Sequence, residues 1–212
     1  MNDFQKRFNN GEVIKFDKPT IVLASASPRR SGLLDSAGIE YVKVLSGVDD
    51  SEFNNDFPHE NVSRRQTRKY ATTIATAKLA PFYNRIINGG VVTADTTVLC
   101  NGRILEKPIT PEKCREQHEF LSGKTTLVHT AIAVYYNGKT ANKVLTAKFK
   151  INPIPKHIID KICTEEETLD SAGFNRLGAI NPYCTYDIKK DDIIAGFNVP
   201  CMKKLLKKIG FK

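Results

Sequence analysis

A short segment that joins an apolar run to a helix, residues 23–34 (LASASPRRSGLL), constrains this chain more than any other. Residues 20–24 are β-branched and apolar, which predicts a buried strand. Ser27 as N-cap, Pro28 at the first helical position and Gly38 at the far end predict the helix that follows. The chain therefore passes from a strand into a helix N-terminus, where backbone N–H groups attract anions.

Two arginines break the electrostatic rule for such a helix. Arg29 and Arg30 fall in its first turn, where the helix dipole disfavours a cation by roughly 0.3–1 kcal/mol. Two guanidiniums, the hydroxyls of Ser25 and Ser27, and the N–H groups of the first turn together suit a polyphosphate. The alternative is a surface turn whose arginines pair with carboxylates elsewhere in the chain.

Two further charged residues stand in apolar surroundings. A helix predicted from about residue 61 to residue 82 carries Lys78 on the same face as Ile74. This ammonium either reaches the surface along its stem or points at the same pocket as the arginines. Asp95 lies in the middle of a central-strand pattern, residues 91–99. Its carboxylate either caps a nearby turn or needs a metal, a lysine or several hydrogen-bond donors.

Two Asn-Gly pairs predict β-hairpins. The first, Asn101-Gly102, returns the chain toward Lys107, and its register would bring that lysine near the level of Asp95. The second, Asn137-Gly138, joins two long runs in which the later one alternates apolar and polar residues. This alternation is typical of an antiparallel sheet with one face in the core.

Size, charge and cysteine content limit the class of protein. With 212 residues the chain fits a single domain over residues 19–212, preceded by an N-terminal extension over residues 1–18. The net charge of +9 is spread along the chain, so a solubility surface is favoured over nucleic-acid binding. No apolar run approaches 18 residues and the N-terminus lacks the apolar core of a signal peptide, so we expect a cytoplasmic protein without membrane contact.

The cysteines and histidines carry no recognisable ligand pattern. Five cysteines, an odd number without a Cys-x-x-Cys pair, favour a reducing compartment and argue against a zinc site. The four histidines are isolated and show no metal-ligand spacing. We therefore expect neither a disulfide framework nor a zinc centre.

Taken in order, these motifs resemble the Maf family of nucleotide pyrophosphatases, which are related to the inosine triphosphate pyrophosphatases. The matching segments are residues 23–30 (LASASPRR), 48–50 (VDD), 77–78 (AK), 94–96 (ADT), 105–108 (LEKP), 121–123 (LSG), 172–173 (AG) and 196–200 (GFNVP). The resemblance implies an elongated α/β fold with two lobes, a central curved mixed sheet flanked by helices, and a cleft between the lobes. It also implies hydrolysis of a nucleoside triphosphate to the monophosphate and pyrophosphate, a divalent cation (Mg²⁺, Mn²⁺ or Co²⁺) and a homodimer.

The resemblance also implies residue roles. Asp95 would act as general base on the attacking water or as a metal ligand. Asp50 would be a second metal ligand, at a position where the family usually carries the longer glutamate. The residues that would bind the nucleotide are Ser25, Ser27, Arg29, Arg30, Lys78, Thr96 and Lys107.

The preferred base and one rival function stay open. Members that act on dTTP and UTP resemble the chain at Arg29 and Thr96, whereas residues 122–130 (SGKTTLVHT) resemble the branch that acts on 7-methyl-GTP. The dTTP/UTP members carry a lysine and a glutamine where this chain has Ser171 and roughly Gly178. The substrate is thus a non-standard, methylated or pyrimidine nucleotide. The rival hypothesis is a basic, non-catalytic protein that binds nucleotides or nucleic acid.

Overall fold

The centre of the molecule is a mixed β-sheet of seven strands in the order β2-β1-β3-β5-β6-β7, with β4 paired to β3. The computed structural model describes residues 3–53, 57–169, 172, 181–186, 189 and 191–212. β1 pairs in parallel with β2 and β3, whereas the remaining pairs are antiparallel. The strands are β1 (Ile14–Ala24), β2 (Tyr41–Val44), β3 (Ile86–Cys100), β4 (Arg103–Leu105), β5 (Thr125–Tyr136), β6 (Lys139–Ile151) and β7 (Cys184–Tyr186).

Helices cover both faces of this sheet, so the expected α/β architecture with a central mixed sheet is confirmed. Where the structure is described, no helix combines the length and the apolar character needed to cross a lipid bilayer. The helices are α1 (Asp3–Asn9), α2 (Pro28–Ser36), α3 (Arg64–Ala77), α4 (Pro111–Leu121), α5 (Lys156–Ile162), α6 (Glu166–Leu169), α7 (Asp191–Ile194) and α8 (Val199–Lys208).

Both predicted hairpins are confirmed, and their turns explain why. Asn101 and Gly102 have φ angles of 47° and 77°, and Asn137 and Gly138 have φ angles of 46° and 74°. Positive φ at both central residues is the requirement of the two-residue turn that matches strand twist, and Asn-Gly meets it at least cost. The two turns connect β3 to β4 and β5 to β6.

The predicted helices are confirmed in position but not always in length. α2 starts after Ser27 and is closed by Gly38, whose φ is 64°. The single helix expected over residues 61–82 is wrong in extent, because α3 ends at Ala77 and a separate turn follows. Pro81 explains the break, since it has no N–H to continue the helix.

A polar seam separates two of the apolar cores that pack on β3. On β3, Val92 packs with α2 and α8, whereas Val98 packs with α4 and α5. Between these two residues, positions 95–97 are all polar (ADTTV). On β5, His129 and Thr130 interrupt the apolar run at the positions that pair with residues 97 and 96. The seam therefore crosses the sheet between the two apolar cores.

The first residues of the chain pack into the core. In α1, Phe8 is only 4% exposed and stacks on Phe82, with the ring centroids 4.5 Å apart. The guanidinium of Arg85 lies 4.2 Å above the Phe8 ring and donates a hydrogen bond to the Phe8 carbonyl. β1 then begins at Ile14, so residues 3–18 contribute buried apolar surface as well as the start of a strand.

The cysteine pattern was misleading. Cys114 in α4 and Cys163 at the end of α5 form a disulfide across 49 residues of sequence, and Nδ1 of His118 lies 3.4 Å from Sγ of Cys114. With the disulfide reduced, the same three buried side chains would form a ligand group suited to a soft metal ion. The expectation of isolated cysteines and histidines was wrong, because one helical turn aligns Cys114 with His118 and tertiary packing supplies Cys163.

Truncating Phe8 tests how firmly α1 is attached. We expect Phe8→Ala to lower the free energy of unfolding by about 3–5 kcal/mol, since it removes a buried ring and the cation–π contact with Arg85. Lys6→Ala, an exposed change in the same helix, should alter stability by less than about 0.5 kcal/mol. Urea unfolding followed by circular dichroism measures both values. Equal stability of the two variants would show that α1 contributes nothing to the core.

Candidate functional site

The sheet has a gap on one edge of β3, and the candidate site is built around it. β1 pairs with β3 as far as Leu23 and Val92. β4 takes over on that side only from Val98, which pairs with Leu105. Residues 93–97 of β3 thus lie between the end of one partner strand and the start of another. This stretch contains the polar residues of the seam, and side chains from other segments converge on it.

Arg30 bridges three segments at this gap. Its Nε donates a hydrogen bond to the carbonyl of Gly196 at 3.0 Å, and its two terminal nitrogens donate to Oγ of Ser25 at 3.1 Å and to Oγ1 of Thr96 at 3.4 Å. Burial lowers the pKa of the Arg30 guanidinium, and the nearby carboxylates of Asp95 and Asp50 act against this. The helix after β1 is thereby tied to the middle of β3 and to the loop before α8.

Lys78 joins two carboxylates on the neighbouring side of the gap. Its Nζ donates to Oδ2 of Asp50 at 2.8 Å and to Oδ1 of Asp95 at 3.4 Å. The side chains of Lys78 and Asp95 are 13% and 11% exposed, whereas that of Asp50 is 50% exposed. Thr97 donates a hydrogen bond of 3.0 Å to the other oxygen of Asp95. The lysine predicted in an apolar stripe and the aspartate predicted in a central strand are therefore partners.

The electrostatic balance at Asp95 favours proton uptake. Burial raises the pKa of the Asp95 carboxyl above its ordinary value, while Lys78 and Arg30 pull it back and Asp50 adds to the rise. A buried carboxylate with two cations nearby is both ionisable and basic. The side chain therefore has the properties of a proton acceptor at this position.

Tyr70 is a member of the cluster that the sequence analysis missed. Its pKa is raised to about 12, first by burial and then by the charges of Asp95, Glu106 and Asp50. The phenol thus lies within electrostatic reach of three carboxylates. Tyr70 precedes Lys78 by eight residues, or about two helical turns, but its carboxylate neighbours come from other segments of the chain.

The loop before α8 closes the other side of the gap. Gly196 has φ +90°, and a Cβ atom there would lie only 2.9 Å from Oγ1 of Thr96. Thr96 also shares a hydrogen bond of 3.2 Å with Thr130, which donates to the carbonyl of Ile193 at 2.7 Å. Gly196 is therefore required both for its backbone conformation and for the close approach of the loop to β3.

The remaining predicted site residues, Ser27, Arg29 and Lys107, are near the ends of β1 and β4. The backbone N–H of Ser27 donates to Oγ of Ser25 at 3.2 Å, and Arg29 is exposed in the first turn of α2. Lys107 is exposed and follows β4 by two residues, and β4 reaches the boundary of the gap where Leu105 pairs with Val98. Ser171 and Gly178, considered for base recognition, lie outside the described residues.

Two comparisons, with a family model and with known proteins, agree on where this chain belongs. The model of the Maf-like protein family matches residues 20–208. A dTTP/UTP pyrophosphatase of Syntrophus aciditrophicus is 33% identical over 155 residues, 72% of this chain and 71% of the relative. A protein of the same name from Pyrococcus abyssi is 32% identical over 72% of this chain and 76% of its own length. Another, from Neisseria meningitidis serogroup B, is 30% identical over 73% of this chain and 75% of its own length.

The fold and these relatives define a hydrolase of nucleotide metabolism. The chain belongs to the Maf-like protein family, whose model spans both apolar cores and the polar seam between them. The resemblance read from the ordered motifs is thereby confirmed.

Substituting Gly196 tests the close approach of its loop to β3. We expect Gly196→Ala to lower the free energy of unfolding by about 1–3 kcal/mol, since a Cβ atom meets Thr96 and the backbone has positive φ. Gly32→Ala is the matched control, because a Cβ atom at that exposed helical position meets nothing within 4 Å. The control should gain up to about 1 kcal/mol. Urea unfolding distinguishes the two, and wild-type stability of Gly196→Ala would contradict the close approach.

Proposed function

We propose that this protein hydrolyses dTTP and UTP to the monophosphates and pyrophosphate at the gap between β1 and β4. Membership of the family and the names of the relatives make the chain a nucleoside triphosphate pyrophosphatase. The observation that carries the site assignment is that Arg30 and Lys78 both reach residues 93–97 of β3, where Arg30 contacts Thr96 and Lys78 contacts Asp95. Cations beside one buried carboxylate suit an anionic substrate that must be attacked by water.

The phosphates would be held by cations and hydroxyls from separate segments. α2 has no acidic residue in its first turn and Ser27 makes no side-chain cap, so the N–H groups of that turn are suited to an anion. Arg29 and Lys107, both exposed beside the gap, would add positive charge as the pyrophosphate leaves. The full proposed set for binding substrate is Ser25, Ser27, Arg29, Arg30, Lys78, Thr96 and Lys107.

Asp95 would accept a proton from the attacking water. Its raised pKa makes it a stronger base than an exposed aspartate, and Lys78 and Arg30 keep the ionised form accessible. Thr97 holds one of its oxygens through a hydrogen bond, which orients the carboxylate within the strand. The proton acceptor is thus supplied by a rigid strand rather than by a loop.

A divalent cation fits the donor set on the Asp50 side of Asp95. The carboxylates of Asp50 and Asp95 already flank a single positive group, the ammonium of Lys78. Carboxylate oxygens are the ligands that Mg²⁺ and Mn²⁺ prefer, so Mg²⁺, Mn²⁺ or Co²⁺ would be held by Asp95 and Asp50. When bound, such an ion would neutralise charge on the phosphates, and the half-exposed Asp50 has freedom to reorient toward it.

The names of the relatives favour a pyrimidine base over 7-methylguanine. All three relatives described above are dTTP/UTP pyrophosphatases. Thr96, one of the positions that resemble that group, contacts Arg30 at the gap. We therefore place the base beside the Thr96 side of β3. We also propose a homodimer and a cytoplasmic location, where nucleoside triphosphates are abundant.

A product assay tests the reaction and the base together. With Mg²⁺, Mn²⁺ or Co²⁺ we expect pyrophosphate from dTTP and UTP, with kcat/KM at least about tenfold above that for 7-methyl-GTP. Coupling to an inorganic pyrophosphatase distinguishes pyrophosphate from orthophosphate. Preference for 7-methyl-GTP would contradict the base assignment, and orthophosphate without pyrophosphate would contradict the reaction. No turnover together with steeply salt-dependent binding of RNA would support the rival binding function.

Removing the charge of Asp95 should separate stability from activity. We expect Asp95→Asn to lower kcat by about 10²–10⁴ while nucleotide still binds. Burial raises the pKa of Asp95, so the folded state keeps a proton that the unfolded chain has released, and wild-type stability falls as pH rises through that interval. Asparagine does not titrate, so the variant should lose this fall in stability with rising pH.

Steady-state kinetics, nucleotide titration and urea unfolding at pH 4.5 and pH 7.5 measure these changes. Asp35→Asn, an exposed change in α2, is the matched control and should leave kcat unchanged. Wild-type turnover of Asp95→Asn would remove Asp95 from the mechanism.

A further inference from the structure

The segment that carries Lys107 contains a strained residue. Ile109 has φ +65° and its side chain is 66% exposed. A β-branched residue is strained in this left-handed region and persists there only where its surroundings hold it. Ile109 lies two residues after Lys107 and directly before Thr110, the N-cap of α4. The strained turn therefore connects a proposed phosphate-binding residue to the start of α4.

Hydrogen bonds hold the turn on both sides. The N–H of Ile109 donates to the carbonyl of Leu169, the last residue of α6, at 3.2 Å. The N–H of Thr110 donates to the carbonyl of Pro108 at 2.7 Å. Nε2 of Gln117 in α4 donates to the carbonyl of Glu106 at 2.9 Å. The position of residues 106–110 thus depends on how α4 sits against α5 and α6.

The disulfide is the covalent link in that packing. Cys114 lies in the first half of α4, and Cys163 ends α5, six residues before Leu169. Both sulfur-bearing residues are fully buried. The ion pair between Arg115 and Asp160 also joins α4 to α5, but both side chains are more than a third exposed, so its contribution is small. The disulfide therefore links α4 to the end of α5, and the hydrogen bond from Ile109 to Leu169 links the turn before α4 to α6, which follows α5.

The turn at residues 106–110 sets where Lys107 lies relative to the site. Leu105, the last residue of β4, pairs with Val98 at the boundary of the gap, and residue 107 follows it by two positions. Glu106, the residue before Lys107, is close enough to raise the pKa of the Tyr70 phenol. The segment thus begins at the boundary of the gap, so a change in its position changes the distance from the Lys107 ammonium to a bound phosphate.

We propose that the Cys114–Cys163 disulfide, acting through the strained turn at Ile109, positions Lys107 for the triphosphate, and that reducing it weakens substrate binding. This inference rests on the proposed function. A dithiol reductant supplies two electrons and two protons, the S–S bond becomes two thiols, and the reductant becomes a disulfide. In a reducing cytoplasm such a bridge forms chiefly in response to oxidants, so the protein would bind its substrate most tightly under oxidation.

Comparing oxidised and dithiothreitol-reduced protein tests the proposal. Thiol titration of the denatured chain should give three thiols before reduction and five after it. We expect reduction to raise the KM for dTTP about tenfold with kcat changed less than twofold, since one charge-assisted contact is weakened. Hydrogen exchange of residues 106–110 should become faster on reduction. Five thiols in the oxidised preparation, or equal KM and equal exchange in both states, would overturn the proposal.

Four variants separate positioning from general stability. Cys114→Ser/Cys163→Ser should have the high KM without reductant, whereas Cys201→Ser, which removes a free buried cysteine, should keep the redox response. Ile109→Gly, which keeps the bridge, should raise KM several-fold without lowering the melting temperature, because glycine relieves the strain and loosens the turn. Lys107→Met should have a high KM in both redox states, and a redox response that survives in it would overturn the proposal.

The proposed function and this inference fail in different ways. If neither redox state releases pyrophosphate but exchange at residues 106–110 still responds to reduction, the reaction assignment is wrong and the coupling of the bridge to the turn stands. If pyrophosphate is released equally well, with the same KM, in both states, the reaction assignment stands and the positioning by the bridge is wrong.

Discussion

The buried carboxylate of Asp95, paired with Lys78 and within electrostatic reach of Arg30, is the interaction on which the rest of the structure depends. A carboxylate in the middle of a central strand is costly unless cations and donors surround it. Lys78 comes from the end of α3, Arg30 from the first turn of α2, and Thr97 from the same strand. The end of α3 and the first turn of α2 must therefore meet at β3, and their meeting point is the candidate site.

The polar seam around Asp95 also determines where the apolar core can form. Positions 95–97 of β3 are polar, so the apolar clusters that contain Val92 and Val98 form on either side of them. β1 ends before the seam and β4 begins after it, which leaves the edge of β3 available to side chains from α2 and the loop of Gly196. The position of the candidate site between these two clusters follows from the placement of three polar residues in one strand.

The site residues that the sequence could identify were charged residues in locally unfavourable surroundings. Arg30 in a helix's first turn and Lys78 in an apolar stripe each lacked a local partner, and both have their partners across the gap. The strand-to-helix turn and the Asn-Gly hairpins were predictable because their signals lie within a few adjacent residues. The mixed sheet followed from the family resemblance rather than from any local pattern.

What sequence missed depends on contacts between distant segments. Tyr70 is an ordinary aromatic residue of a helix until packing brings three carboxylates near its phenol. Cys114 and Cys163 stand 49 residues apart, so only the packing of α4 on α5 pairs them. The strain at Ile109 is a backbone property that no residue pattern indicated. Each of these features becomes visible only when the tertiary structure is known.

The most direct test of this account is the pKa of Asp95 itself, measured by carbon-13 NMR titration of selectively labelled aspartate. Burial outweighs the two cations in the substrate-free protein, so the account predicts a pKa above 3.8. It predicts a further rise in Lys78→Met, because that change removes the cation that lowers this pKa most. A wild-type value at or below 3.8, or no change on removing Lys78, would contradict the central claim.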